Sequence, residues 1–149
     1  MGYPQRNGEK YQPRNGEQSE FILITKAKDL VKHTYMMTGE KRFPKKHYKL
    51  VQRLQDTTIE IFERVQEANE LDLSDPQEFR ERQYDQKKAM TKCKTVLFLI
   101  EIALERGMIS KSQCDTWTNY VVEVKRMTAS WKKKDRERAT AQWRNAPPR

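Results

Sequence analysis

PKKHYKLVQRLQDTTIEIFERVQEAN, residues 44–69, carries Leu50, Leu54, Thr58, Ile61, Val65 and Ala68 at steps of four, four, three, four and three. Val51 and Phe62 flank that stripe. Apolar positions at this spacing line one face of a helix, and a near-heptad repeat suits packing at about +20° against a neighbour. Pro44 fits the first turn, where its missing N–H costs nothing. The stretch therefore predicts a long amphipathic helix that needs partners.

The flanking segments supply them. Downstream, residues 70–75 form a link, and Asp75-Pro76-Gln77-Glu78 is a start signal with Asp as cap, Pro at the first helical position and Glu two residues later. A third helix runs from there to Arg106 through Phe79, Met90, Cys93, Val96, Leu97, Ile100, Ala103 and Leu104, and Gly107 ends it. Ser110-Lys111-Ser112-Gln113 is a capping box for a fourth helix. That helix carries Cys114, Trp117, Val121, Val124, Thr128 and Trp131 and fades near Ala139. Upstream, Ile24, Ala27, Leu30, Val31, Thr34, Tyr35 and Thr38 define a helix over about 20–38, with Gly39 where a left-handed C′ residue belongs.

Four long helices with short links imply antiparallel neighbours, so the expected fold is all-α, an up-down-up-down four-helix bundle over residues 20–139. Helices of ~25 residues would be ~37 Å long. The chain has 149 residues, which suits one domain. Its 5 glycines and 6 prolines are too few for the frequent turns of a β-sandwich. Residues 1–19 are expected to be a disordered tail. Within it Tyr3-Pro4-Gln5-Arg6-Asn7-Gly8-Glu9 returns as Tyr11-Gln12-Pro13-Arg14-Asn15-Gly16-Glu17, too polar and too short a repeat to pack. Residues 140–149, with Pro147-Pro148, are expected to be a second tail. Helix 3 is apolar on more than one face around Val96 to Ala103, a surplus that suits contact with another subunit.

Catalytic sets are missing. His33 and His47 stand alone on different helices, no Gly-rich phosphate loop occurs, and no nucleophile has a visible base. No Glu-x-x-His motif is present, so a di-iron site of the bundle type is not expected. Cys93 and Cys114 fall on apolar faces as buried free thiols. No cofactor and no enzymatic activity are expected. No apolar leader and no run of ~20 apolar residues is visible, so the expected location is cytoplasmic and off the membrane.

Charge is the informative property. The net charge is +9, and a protein this basic commonly meets an anionic partner. One cluster holds Lys41, Arg42, Lys45, Lys46, Lys49 and Arg53. At 100° per residue Arg42, Lys46, Lys49 and Arg53 point away from the Leu50–Leu54 stripe, and further along that face come Asp56, Glu60, Glu63 and Glu67. Cations at a helix N-terminus oppose the macrodipole, so the arrangement is not explained by helix stability. A second cluster holds Lys125, Arg126, Lys132, Lys133, Lys134, Arg136 and Arg138, with Asp135 and Glu137 as its acids. Both clusters are candidate phosphate-binding surfaces, reading backbone rather than base sequence. Antiparallel topology puts them at opposite ends of the bundle. Trp117 and Trp131 belong to the core stripe, whereas Trp143 lies beyond it and is a candidate for stacking.

Lys26-Ala27-Lys28-Asp29-Leu30-Val31, Tyr35, the Phe43-Pro44 entry into helix 2, Leu50-Val51-Gln52-Arg53-Leu54-Gln55 and Leu97-Phe98-Leu99-Ile100-Glu101-Ile102-Ala103-Leu104 together resemble a bacterial four-helix-bundle family. That family includes the accessory variability determinant of diversity-generating retroelements and proteins encoded in intervening sequences of large-subunit ribosomal RNA genes. The resemblance spans about residues 22–131. It implies a homopentameric ring that binds a reverse transcriptase and its template RNA, or the RNA–cDNA hybrid. The readings that stand beside it are an oligomeric protein–protein adaptor and a ribosome-associated basic bundle, each without direct nucleic-acid contact.

Overall fold

Asp75 caps its helix as its position requires: the carboxylate accepts from the Gln77 N–H at 3.1 Å, and Pro76 opens the first turn. Ser110 and Gln113 close a reciprocal box, Gln113 N–H to Ser110 Oγ at 3.1 Å and Ser110 N–H to Gln113 Oε1 at 2.8 Å. Between them Gly107, at φ 73°, allows Met108 N–H to reach Ala103 O and Gly107 N–H to reach Leu104 O, a Schellman turn. These signals delimit α3, Pro76–Glu105, and α4, Lys111–Arg144. The other helices are α1, Asn15–Met37, and α2, Tyr48–Glu70, the latter preceded by a 3-10 turn at Lys45–His47. The computed structural model describes residues 15–39 and 42–144, with side chains from Glu20 onward.

Each helix packs on its neighbours in sequence, and α1 closes the ring against α4, giving the up-down-up-down four-helix bundle. The core seams repeat at three and four: Leu23, Ala27, Leu30, Thr34 and Met37 on α1; Leu54, Thr58, Ile61, Val65 and Ala68 on α2; Ala89, Cys93, Val96, Ile100 and Ala103 on α3; Trp117, Val121, Val124, Thr128 and Trp131 on α4. Trp117 is fully buried and still satisfied, its indole N–H donating to Thr34 Oγ1 at 3.0 Å. Among the described residues no helix is long and apolar enough to cross a membrane.

Several boundaries differ from the sequence expectation. Helix α1 begins at Asn15 rather than about Glu20, so the expected tail over 1–19 is helical in its last five residues. Leu23 is buried and Glu20 is held by Arg82, and adding a turn to an anchored helix costs far less than nucleating one. The rest of the N-terminal repeat lies outside the described residues. Helix α4 runs to Arg144, through the expected tail at 140–144, because Ala139 is buried and the Trp143 ring packs edge-on against Phe79 at 5.3 Å. At the C-terminal end of the α1 seam Thr34 and Thr38 are buried as expected, but Met37 joins them and Tyr35 is exposed. Gly39 is not left-handed; its carbonyl instead accepts from the Arg42 N–H at 2.9 Å in a turn. Pro44 stays extended, at ψ 145°, so the first turn after it is 3-10 and α2 proper starts at Tyr48. Cys114 is half-buried rather than buried, and Cys93 is sealed in the core.

Candidate nucleic-acid interface

The first basic cluster is built on the α1–α2 turn and the start of α2. Arg42, Lys45, Lys46, Lys49 and Arg53 are all exposed; Lys41 lies outside the described residues. No side chain caps the 3-10 turn or α2, and neither has an acid in its first turn. Tyr48 stands among these cations, 61% exposed. Arg42 also acts inward. Burial of His33, and then the nearby Arg42 charge, hold the His33 imidazole below its ordinary range while it stacks on Tyr120 at 4.5 Å.

The second cluster lies at the opposite end, on the last turns of α4. Arg126, Lys133, Lys134, Arg136 and Arg138 are exposed, and Lys125 and Lys132 are half-buried. Asp135 does not belong to this surface. Counted with the cluster by sequence, Asp135 is 0% exposed and points into the bundle. There it accepts a bidentate pair from Arg82, Nε to Oδ2 at 2.7 Å and Nη2 to Oδ1 at 3.1 Å, and a third bond from Gln86 Nε2 at 2.6 Å. Arg82 Nη2 also reaches Glu20 Oε1 at 2.9 Å, and its Nη1 donates to Leu71 O at 3.1 Å and Ala68 O at 3.4 Å. The guanidinium lies 4.8 Å from the Trp131 ring centre, and the Trp131 N–H donates to the same Glu20 oxygen at 3.1 Å. Every N–H of Arg82 thus has an acceptor, with partners drawn from the other three helices or their ends. With Asp135 turned inward, the outer face of α4 from Lys125 to Arg144 keeps Glu137 as its only acid.

The packing adds cations that the sequence reading missed. A groove of about 400 Å³ between α3 and α4 is lined by Lys87, Met90, Thr91 and Lys94 from one helix and Ala129, Lys132 and Arg136 from the other. No carboxylate lines it. Burial, and then the neighbouring Arg136 and Lys87 charges, hold the Lys132 ammonium below its ordinary range. The missed signal was the phase of α3. Its seam continues upstream from Ala89 through Gln86, Arg82 and Phe79, again at three and four, which puts Lys87 and Lys94 on the outside.

Ion pairing separates these surfaces from the rest of the molecule. The described pairs join Lys26 to Glu123, Arg64 to Asp85 and Glu67, Arg82 to Glu20 and Asp135, Lys92 to Glu60, and Lys111 to Asp115. None uses a residue of either cluster or of the groove. No group of three or more His, Cys, Asp or Glu that could hold a metal occurs among the described residues.

No family model matches the chain, and no curated protein matches it in sequence. A solved structure of unknown function from the S23 ribosomal protein family of Bacteroides thetaiotaomicron is similar, with a TM-score of 0.62 over 77% of this chain and 98% of that one. At 13% sequence identity, that likeness establishes the bundle fold alone.

Proposed function

We propose that this chain is a non-catalytic accessory protein that binds RNA, or an RNA–cDNA hybrid, through its basic surfaces and supports copying by a reverse transcriptase. One observation carries the reading: among the described residues, no ion pair uses a cation of either cluster, so both are left without internal counter-ions. Free lysines and arginines at two ends of a rigid bundle suit a polyanion longer than the protein, and they bind phosphates without reading sequence. The family resemblance supports the reverse transcriptase and a homopentameric ring. The structural neighbour's placement in a ribosomal protein family is in keeping with an RNA partner.

The test is RNA binding by the purified chain across a salt series, with the solution mass measured on the same sample. A ring-sized oligomer whose affinity falls steeply with salt supports the proposal. Converting Lys132, Lys133, Lys134, Arg136 and Arg138 to Gln should lower the slope of log affinity against log salt by about 3.5 on single strands, at ~0.7 per lost contact. Helicity should not change. A monomer with no RNA affinity at low salt would refute the proposal and favour the protein–protein adaptor.

A further inference from the structure

Lys87, Thr91, Lys94 and Phe98 follow one another on α3 at steps of four, three and four, so they form a single outward row. The first three line the α3–α4 groove, and the fourth lies one helical turn beyond Lys94 on the same row, 60% exposed. Phe98 does not fill the core and continues the row of Lys87 and Lys94. Across the groove are Lys132 and Arg136. Thr91 and Ala129 are short, which leaves the lysine stems free to lean over a ligand.

We propose that the α3–α4 groove binds a stretch of single-stranded RNA, with Lys87, Lys94, Lys132 and Arg136 on consecutive phosphates and an unpaired base stacked on Phe98. The site rests on the RNA-binding reading above and specifies the form of the RNA. Three features support a single strand. Lys87 and Lys94 are seven residues apart, ~10.5 Å along the helix, a reach of a few nucleotides rather than a turn of duplex. The cations come from two helices flanking one trough, which tracks one backbone. An exposed aromatic one turn beyond a basic channel can stack on any base whose face is free, and in a duplex those faces are covered. The crowding of like charges on Lys132 is what an anion in the groove would relieve.

The experiment uses the full chain, an unstructured oligouridine and an RNA duplex of equal length. For the single strand, K87Q/K94Q should lower affinity about twenty-five-fold at 0.1 M salt and reduce the salt slope by about 1.4, from ~0.7 per phosphate contact. Phe98→Ala should weaken the single strand about tenfold, leave the slope unchanged and spare the duplex, and Phe98→Trp should restore binding. Wild-type affinity and slope in K87Q/K94Q, with RNA still bound, would overturn the groove and leave the proposed function standing. Equal losses on both RNAs in Phe98→Ala would overturn the single-strand assignment. A changed solution mass in that variant would make Phe98 a contact between copies instead. No binding by the wild type would overturn both readings.

Discussion

Replacing Asp135 by Ala removes the acceptor of both bonds that Arg82 sends across to α4 and the acceptor of Gln86 Nε2. Arg82 is itself buried, so its guanidinium would keep Glu20 and two carbonyls but lose its fully sequestered counter-ion. Breaking one side of a buried pair costs about 3–5 kcal/mol, because the surviving charge is desolvated without compensation. That is a large share of the ~5–15 kcal/mol that holds a domain together. At ~2–4 °C per kcal/mol for a chain of this size, the melting midpoint should fall by roughly 10 °C. The assay is thermal unfolding by circular dichroism beside Glu137→Ala, two residues further along the same helix and exposed. That control should change stability by no more than ~0.5 kcal/mol, about 1–2 °C in the midpoint. A double substitution, Asp135→Leu with Arg82→Met, should recover most of the loss, since an apolar pair of similar size asks for no desolvation. If Asp135→Ala melts with Glu137→Ala, the ion pair does not hold the bundle.

Three further outcomes follow from other residues. His33 favours its neutral form in the fold, so the stability it contributes is complete above the unfolded value of about 6.5 and is lost as pH falls below it; His33→Phe should flatten denaturant midpoints measured between pH 7 and pH 5. Cys93 is sealed in the core and its thiol is pushed up to about 12, chiefly by burial; alkylation mapped by mass spectrometry at neutral pH should label Cys114 in the native protein and reach Cys93 only on unfolding. Gly107→Ala should cost about 1 kcal/mol in urea titration: a Cβ there meets no atom within 4 Å, so the left-handed backbone is the whole penalty.

Much of the fold was legible because apolar spacing and capping chemistry are local. The Asp75 cap, the Ser110–Gln113 box and the Gly107 stop behave as their sequences dictate. The α2 stripe from Leu54 to Ala68 is the α2 seam. What escaped was the part of the core made from polar residues. On α4, Thr128, Trp131, Asp135 and Ala139 continue the seam at steps of three and four, but an aspartate between lysines reads as solvent-facing when residue type is weighed above position. On α3 the seam between Phe79 and Ala89 is occupied by Arg82 and Gln86, so no apolar stripe marked the phase of that half. Without the phase of that half, Lys87 could not be assigned to the outer face. The charges of the two clusters were visible individually; the trough that gathers cations from two helices is a property of packing.

The Arg82–Asp135 bond also determines how far α4 is slid along α3. Apolar seams of similar residues tolerate displacement by a heptad, since one small side chain fits much like another. Here a slip of seven residues in one direction would set Arg82 opposite Thr128, and in the other would set Asp135 opposite Ala89, in each case leaving a charge in the dry core without its partner. Only one alignment avoids this. That same alignment brings Lys87 and Lys94 up against Lys132 and Arg136. Left to themselves these four cations would push the two helices out of step; the attraction inside keeps them crowded together outside.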